Sequence, residues 1–308
     1  AICTKSRTQM YTPWTSSSPT GSPCVFMTGG PLEYIQGTQC IVRSLAAVGS
    51  RYPAVVVTDP ENAARMQHEI FGLPNVSLAV WNHFPYAYKG TKWAQTQELD
   101  KLNVLAAPYP RIVWLDADIL VRSNIDALCE LPDEVLFAAA RNVGFRSMTC
   151  YDPSGSKAGF RCRKCSVDGV HAPRCKEEFQ GGVLVIKPFN TSTFYRNIVK
   201  PIQSGDLKSR DGSDQGVLNT LVYDKRAFGD QWMILPSRYN ALARVRGLRP
   251  EQWRQWNAAV VHYSRETKPW DFGRIGNGSA RYSSVGGSSM GELQVEWRRA
   301  CVSSHGRL

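Results

Sequence analysis

The stretch Arg111-Ile112-Val113-Trp114-Leu115-Asp116-Ala117-Asp118 joins a run of apolar residues to two aspartates. Four consecutive apolar residues are typical of a buried β-strand, so a strand is predicted over 111–115 that ends at Asp116. Residues two apart in an extended chain point to the same side, so Asp116 and Asp118 would project together. Such a pair of carboxylates is relieved of its mutual repulsion by a divalent cation, Mn²⁺ or Mg²⁺. The alternative is a solvated turn or a helix cap.

The segments around this strand alternate between apolar strands and helices. This order favours an α/β fold with a mainly parallel central sheet, in which ligands gather at the carboxyl ends of the strands. The loops after Thr28, Thr58 and Leu115 are therefore predicted to line the site. Asp59 is expected to cap the second helix. The predicted strands are 25–28, 54–58, 76–80, 111–115, 181–186 and 258–261, and the predicted helices are 37–47, 60–72, 93–107 and one that starts after 211–214.

Polar residues after the later elements are candidates for the same site. His262 follows the apolar pair Val260-Val261, where a neutral imidazole would supply a third metal ligand and favour Mn²⁺ over Mg²⁺. The alternative for His262 is a structural histidine of the core. Asp214 and Gln215 lie at a predicted helix start, where they would bind sugar hydroxyls. The alternative is that Asp214 caps the helix. Lys268 places a cation one short loop after His262, which suits a diphosphate.

Composition narrows the class of protein. The chain has 308 residues, of which 43% are hydrophobic and 20% charged, and its formal net charge is +11. Its basic residues are scattered and form no tract, which argues against nucleic acid as a partner. Its longest apolar runs have the length of strands, so no membrane span is predicted. Residues 1–23 are rich in Ser, Thr and Pro and are predicted to be an N-terminal arm or stalk. Because the chain begins with Ala1, we expect membrane contact only through an N-terminal anchor that has been removed.

Nine cysteines are more than a cytosolic enzyme usually carries. Together with Asn-x-Ser sequons at Asn75, Asn190 and Asn277, they favour the secretory pathway, in the Golgi or ER lumen, over the cytoplasm. A bond from Cys3 or Cys24 to Cys301 would fasten the N-terminal arm, although the sequence leaves the pairing open.

A cysteine-rich insert is predicted over about residues 141–178. Four cysteines within a short stretch form either two disulfides or a tetrahedral structural Zn²⁺ site. They are Cys150, Cys162, Cys165 and Cys175. Because the insert lies between the aspartate pair and the next predicted strand, we expect it to border the same site.

A series of motifs, in order along the chain, resembles glycosyltransferase family 8, the glycogenin-like and galactinol-synthase-like retaining enzymes. The resemblance runs from about Val25 to Trp270 and implies a single GT-A (Rossmann-like) domain over 24–275, with a C-terminal extension over 276–308. The motifs are Tyr34-Ile35-Gln36-Gly37, Lys101-Leu102, Asp116-Ala117-Asp118, Asn124-Ile125-Asp126-Ala127-Leu128, Phe179-Gln180-Gly181-Gly182-Val183, Asp214-Gln215-Gly216-Val217-Leu218-Asn219 and His262-Tyr263 with Lys268-Pro269-Trp270.

The resemblance also implies roles for individual residues. Asp116, Asp118 and His262 would hold Mn²⁺, with Mg²⁺ as the alternative, on the diphosphate of a UDP-sugar. Asp214 and Gln215 would act beside the transferred sugar as the catalytic pair. The residues that would bind the donor are Thr28, Tyr34, Lys101, Asp116, Gln180, Gly181, Asp211, Arg265 and Lys268.

Three positions depart from the family pattern. Gln180 stands where Asn or Asp is frequent, and Gly181 stands where Ser or Ala is common. Arg265 replaces a common glycine after the metal histidine, and its guanidinium would bind phosphate or a sugar carboxylate.

The activity implied is Mn²⁺-dependent, retaining transfer of a hexose, galactose or glucose, from a UDP-sugar to a hydroxyl. The acceptor would be a glycan or glycoprotein, a glycolipid or a polyol. The alternatives are a transferase that uses UDP-glucuronate and a non-catalytic protein that binds nucleotide-sugars or glycans.

Overall fold

A central β-sheet of eight strands organises the chain in this computed structural model. The structure describes residues 11–16, 21–86, 98–142, 150–151, 176–207, 209, 212–248, 250–264, 268–270 and 287–301. Its strands are β1 (Trp14–Ser16), β2 (Val25–Gly29), β3 (Ala54–Thr58), β4 (Val76–Trp81), β5 (Ile112–Leu115), β6 (Ile119–Val121), β7 (Phe137–Arg141), β8 (Cys150–Tyr151), β9 (Lys176–Glu177), β10 (Phe179–Ile186), β11 (Trp232–Leu235), β12 (Ala241–Leu242) and β13 (Val260–His262).

The strand order of the central sheet is β1-β4-β3-β2-β5-β10-β7-β11. Four of its neighbouring pairs are parallel, which confirms the predicted α/β fold with a mostly parallel sheet. Strand β10 runs antiparallel to β5, with Val183 opposite Leu115. The beginning of β10 therefore meets the carboxyl end of β5, directly beside Asp116. A smaller sheet has the order β12-β13-β6, and its strand β6 begins directly after Asp118.

Both faces of the central sheet are buried, which explains why its strands are continuous apolar runs. Along β2, Val25 and Met27 belong to the hydrophobic cluster on one face, whereas Phe26 belongs to the cluster on the other. Each such side chain stabilises the fold by roughly 1.5–3 kcal/mol when fully buried. A third cluster packs the small sheet against the C-terminal helix through residues such as Val261 and Trp297.

Helices cover the sheet, and their bounds refine the predicted ones. The second helix begins at Ala63, with Asn62 as its N-cap. Asp59 accepts a hydrogen bond from the backbone N–H of Asn62 at 2.9 Å, so it stabilises the turn before the helix and is not its cap. The helices are α1 (Ile35–Ala47), α2 (Ala63–Ile70), α3 (Thr191–Phe194), α4 (Lys200–Ser204), α5 (Asp214–Tyr223), α6 (Ala243–Leu248), α7 (Pro250–Trp256) and α8 (Gly287–Cys301), with a π-helical turn over Tyr195–Val199.

The helix predicted over 93–107 is a 3₁₀-helix over Glu98–Ala106 in the structure. Leu99, Leu102 and Leu105 are three residues apart, and all three are buried. A spacing of three aligns side chains on one face of a 3₁₀-helix, which has three residues per turn. Shorter 3₁₀-helices lie over Leu32–Tyr34, Asp126–Leu128 and Ser237–Asn240.

Two disulfides lie within the described part of the chain. Cys24 pairs with Cys129, and Cys40 pairs with Cys301. The suggested pairing of Cys301 with Cys3 or Cys24 is therefore wrong, because Cys301 ends α8, and α8 packs against α1, where Cys40 lies. The second bond thus joins the C-terminal helix to the first long helix.

The antiparallel pair β8–β9 lies within the predicted cysteine-rich insert. Cys162, Cys165 and Cys175 lie outside the described residues, as does most of the N-terminal arm. The zinc site, its disulfide alternative and the predicted domain boundaries therefore stay predictions. Among the helices of the described ranges, none is long and apolar enough to cross a membrane.

Candidate active site

Asp116 and Asp118 lie where the two sheets meet. Asp116 follows β5, and its backbone N–H donates to the carbonyl of Gly182 at 2.8 Å. Asp118 precedes β6, and its carbonyl accepts from the N–H of Tyr263 at 2.9 Å. These two backbone bonds bring the start of β10 and the end of β13 to the aspartate pair. His262, the last residue of β13, is carried into the site in this way.

Three potential metal ligands, Asp116, Asp118 and His262, converge there and form a metal-ligand cluster. His262 Nε2 lies 3.2 Å from Asp118 Oδ1 and 4.0 Å from Asp116 Oδ2. One ligand atom from each of Asp116, Asp118 and His262 lies within 4.8 Å of the other two, which is close enough for all three to reach one ion. The Asp116 side chain is 27% exposed, against 7% for Asp118 and 2% for His262, so the site opens on the Asp116 side. Two carboxylates and an imidazole form a donor set that suits Mn²⁺.

Asp118 is held ionised by two neighbouring groups. Lys268 donates from Nζ to Asp118 Oδ2 at 2.7 Å. Burial disfavours the charged carboxylate, but His262 and Lys268 outweigh it and hold the pKa of Asp118 well below its ordinary value of 3.8. Burial likewise disfavours the Lys268 ammonium, but Asp118 raises the pKa of Lys268 above 10.5. Its own neighbours therefore keep Asp118 in the carboxylate form that a metal ligand needs.

Lys101 bridges the metal-ligand cluster and helix α5. Its Nζ atom lies 2.8 Å from Asp116 Oδ1 and 2.9 Å from Asp214 Oδ2. Burial disfavours its charge, but the two carboxylates outweigh burial and raise the pKa of Lys101 above 10.5. Trp114 Nε1 also donates to Asp116 Oδ1, at 2.7 Å, so that oxygen is fixed by two donors. The other carboxylate oxygen of Asp116 faces His262.

Asp214 is free for this contact because Ser213 caps helix α5. The Ser213 hydroxyl accepts from the N–H of Gly216, so the prediction that Asp214 caps the helix is wrong. Asn219, one turn further on, fastens α5 to β10. Its side chain accepts from the N–H of Phe179 and donates to the carbonyl of Phe179, each at 3.1 Å.

Gln215 lies between the start of β10 and a buried carboxylate. Its Oε1 atom accepts from the N–H of Gly181 at 3.0 Å, and its Nε2 atom lies 3.3 Å from Glu178 Oε1. A methyl group at Gly181 would lie 3.4 Å from Lys101 Nζ and 3.7 Å from Asp214 Oδ2. Gly181 therefore borders the space around the Lys101–Asp214 ion pair.

The rings of Tyr34 and Trp270 form an aromatic wall beside Lys268. Its Nζ atom lies 5.4 Å from the ring centre of Tyr34, and the rings of Tyr34 and Trp270 meet edge to face at 5.7 Å. Gly37 allows this arrangement, because a Cβ there would lie 2.1 Å from the carbonyl of Ala117 and 2.6 Å from the Trp270 ring. Helix α1 can approach the aspartate pair only with glycine at this position.

Gln180 lies behind the metal-ligand cluster and contacts Asn240, whose side chain contacts His262. Thr28 is buried in β2, and among the described residues its hydroxyl has no hydrogen-bond partner. Asp211 and Arg265 lie outside the residues that the structure describes. The structure thus gathers most of the predicted site residues, and their roles in binding and catalysis remain proposals.

Three residues of the site were not identified from the sequence. Trp114 precedes Asp116 by two residues in extended chain, so the rule that predicted the aspartate pair would also have found it. Glu178 and Asn240 carried no such signal, because their neighbours in the site come from distant segments.

The comparison with known families agrees with this geometry. A model of glycosyl transferase family 8 matches residues 101–273, which is more than half of the chain. The chain belongs to this family. Similar family members include galactinol synthase 3 of Arabidopsis thaliana, which is 26% identical over 80% of this chain and 73% of its own length. Glycogenin-1 of Oryctolagus cuniculus is 30% identical over 53% of this chain and 38% of its own length.

Solved structures show the same fold. The galactosyltransferase LgtC in complex with donor and acceptor sugar analogues has a TM-score of 0.52 and 19% identity, covering 90% of this chain and 99% of LgtC. The bifunctional glycosyltransferase WbbM has a TM-score of 0.54 and 17% identity, covering 95% of this chain and 53% of WbbM. The GT-A fold that the motifs implied is thereby confirmed.

Proposed function

We propose that this glycosyltransferase moves a hexose, galactose or glucose, from a UDP-sugar to a hydroxyl with retention of anomeric configuration and with dependence on Mn²⁺. The convergence of Asp116, Asp118 and His262 beside Lys101 and Lys268 carries this proposal. Membership in family 8 supports the reaction class.

The metal would be held by Asp116, Asp118 and His262. When bound, it would neutralise the diphosphate of the leaving nucleotide as a Lewis acid. The donor set favours Mn²⁺ because an imidazole is a softer ligand than the oxygens that Mg²⁺ prefers. Exposure of the Asp116 side chain, at 27%, leaves this side open for phosphate oxygens.

Lys268 and the aromatic wall would receive the nucleotide. Lys268 is 19% exposed where it contacts Asp118, so its ammonium would also be able to bind a phosphate of the nucleotide. The ring of Tyr34 stands beside this ammonium, where a uracil base could stack or flank it.

Asp214 would orient the hydroxyls of the transferred sugar, and Gln215 would lie beside its reacting carbon. In front-face transfer, the acceptor oxygen bonds to the anomeric carbon while the bond from that carbon to the phosphate oxygen breaks. The acceptor proton passes to the leaving phosphate, and UDP departs. Binding would supply most of the rate by holding the acceptor hydroxyl close to the anomeric carbon.

A neutral hexose fits better than glucuronate. Lys101 already has two carboxylates within 2.9 Å, so its positive charge is matched inside the protein. A donor carboxylate placed beside Asp214 would meet a like charge with no surplus cation among the described residues around Lys101. The glycan, glycolipid and polyol acceptors all remain candidates, because each offers a hydroxyl.

The test uses UDP-hexoses and UDP-glucuronate with Mn²⁺, and measures UDP release with and without sugar alcohols or oligosaccharides. We expect slow metal-dependent hydrolysis of one neutral donor, and loss of at least about 100-fold in Asp118→Asn, since a metal ligand is removed. The matched control is Asp133→Asn, at an aspartate that is 92% exposed on the surface, and it should retain activity. Turnover that survives both Asp118→Asn and chelation would refute the metal assignment.

We further propose that the protein works in an oxidising lumen of the secretory pathway. The pairs Cys24–Cys129 and Cys40–Cys301 support this, since such bonds persist where thiols are not kept reduced. Peptide mapping of the secreted protein without reductant should recover both pairs. Recovery of free thiols at these four positions would contradict the proposal.

A further inference from the structure

Gln180 and Asn240 form a hydrogen-bonded chain that ends on His262. Gln180 Oε1 accepts from the backbone N–H of Gly182 at 2.5 Å and from Asn240 Nδ2 at 2.6 Å. Because a backbone N–H can only donate, the atom of Gln180 that faces it must be the carbonyl oxygen. The opposite amide orientation would bring two donors together.

The orientation of Gln180 determines that of Asn240. Since the Gln180 oxygen accepts, the Asn240 atom facing it must be the amide nitrogen, and Asn240 Oδ1 then points to the other side. There it lies 2.9 Å from His262 Nδ1. An amide oxygen cannot donate, so Nδ1 must carry the proton.

This chain selects which ring nitrogen meets the carboxylates. With Nδ1 committed to Asn240, Nε2 is left on the side of Asp118, at 3.2 Å. Asn240 is 3% exposed and His262 is 2% exposed, so the described surroundings leave almost no solvent to replace a lost bond. A Cβ at Gly182 would lie 2.2 Å from His262 Cε1, so glycine is what lets the ring stand against the start of β10.

We propose that Gln180 and Asn240 are positioning residues that hold His262 with Nδ1 as donor and Nε2 as the metal-binding atom. The inference rests on the proposed metal site but not on the identity of the donor or acceptor. It also gives Gln180, which departs from the usual residue of the family, a role behind the metal ligand in place of direct contact with the donor. Residues that do not touch the metal but orient a metal-binding histidine typically change the metal affinity 10- to 100-fold when they are removed.

The first test measures binding of Mn²⁺ alone, and of Mn²⁺ with UDP, by electron paramagnetic resonance. Asn240→Leu and Gln180→Met should each weaken Mn²⁺ binding by about 10- to 100-fold. Gln180→Glu is the matched control, because a carboxylate accepts from both donors and keeps the chain intact. It should bind Mn²⁺ at least as tightly as the wild type. Equal affinity in all variants, or loss in Gln180→Glu as severe as in Gln180→Met, would overturn the proposal.

The second test needs no variant and no turnover. Long-range ¹H–¹⁵N spectra of the wild-type protein, loaded with diamagnetic Mg²⁺ and UDP, report which ring nitrogen of His262 carries the proton. We expect a protonated Nδ1 and an unprotonated Nε2. A proton on Nε2 with a bare Nδ1 would refute the chain even if Asn240→Leu fails to fold. If the expected state is found but no UDP-hexose is turned over, the proposed function fails and the positioning role stands.

Discussion

Lys268 donates from its Nζ atom to Oδ2 of Asp118 across 2.7 Å, although 150 positions separate the two residues in the sequence. The contact pairs the cation expected to meet a phosphate with a carboxylate expected to meet a metal. Each group holds the other in its charged form, as the opposite directions of their pKa shifts show. The site is therefore charged and ordered before any ligand arrives, which lowers the reorganisation that binding must cause.

Lys101 should contribute strongly to stability as well as to activity. Lys101→Met leaves Asp116 and Asp214, both within 2.9 Å of the lost ammonium, without their shared cation. Removing one partner of a buried ion pair costs about 3–5 kcal/mol of unfolding free energy, and we expect about 3 kcal/mol because Asp116 is partly exposed. Urea denaturation at pH 7 measures this loss.

A second substitution separates charge from packing. In the Lys101→Met background, Asp214→Asn removes one uncompensated carboxylate and should restore part of the stability but no activity. A double variant that is no more stable than Lys101→Met would show that the loss came from packing.

Adjacent glycines should respond very differently to an added methyl group. In Gly182→Ala the new Cβ would lie 2.2 Å from the His262 ring, so the ring must move, whereas the nearest atom to a Cβ at Gly181 is 3.4 Å away. A displacement of about 1 Å at a catalytic centre typically costs about 100-fold in rate. UDP release should fall by about that factor in Gly182→Ala and much less in Gly181→Ala. Equal losses in the two variants would contradict the role assigned to Gly182.

The disulfide Cys40–Cys301 should support the site through helix α8. This helix accepts a hydrogen bond from the Tyr263 hydroxyl at the carbonyl of Leu293, at 2.7 Å, and its Trp297 packs on Trp270. Replacing both cysteines by serine should cost about 2–5 kcal/mol of stability and raise the KM for the donor. Thermal unfolding and donor kinetics measure the two effects.

The other disulfide provides the control. Cys24–Cys129 joins the residue before β2 to the residue after the 3₁₀-helix Asp126–Leu128, and its cysteines belong to a different hydrophobic cluster from the described buried residues of α8. Its double serine variant should lose stability but keep the donor KM. A raised KM in this variant too would mean that general destabilisation, and not α8, determines donor binding.

His83 should make stability depend on pH. Its Nδ1 atom lies 2.6 Å from Asp100 Oδ2, and this bond raises the pKa of His83 above 6.5, with smaller contributions from Asp59 and Glu61. Because the folded-state pKa is the higher one, the stabilisation is fully present below pH 6.5 and is lost as the pH rises through the folded-state value. The melting temperature of the wild type should exceed that of His83→Gln most at pH 6, and the difference should shrink towards pH 9.

Asp100→Asn tests the cause of this dependence. In that background the difference between His83 and His83→Gln should change much less between pH 6 and pH 9, because the carboxylate that contributes most to the raised pKa is gone. An unchanged pH dependence would assign the effect to another acidic neighbour.

Much of the site could be predicted from the sequence because its signals are local. The strand that ends at Asp116, the carboxylate two residues later and the apolar pair before His262 are each defined by near neighbours in the chain. Their residue types limit the chemistry, since two carboxylates and an imidazole suit a divalent cation. The spacing of Leu99, Leu102 and Leu105 likewise indicates a helix from near neighbours alone, and three residues is the repeat of the 3₁₀-helix found there.

Local patterns could not decide which distant segments meet. Strand β10 lies antiparallel to β5. Gln180 meets Asn240 and Glu178 meets Gln215, although 60 and 37 positions separate the partners in the sequence. The partner of Cys301 was likewise set by the packing of α8 on α1.

The sequence alone therefore indicated six of the thirteen described strands, the residue types of the site and the family, because periodicity and motif order depend on residues close together in the chain. Only the tertiary structure decided the strand pairing, the disulfide pairs and the hydrogen bonds behind His262. Those follow from the sum of many weak packing contacts between remote segments, and no short stretch of sequence encodes that sum.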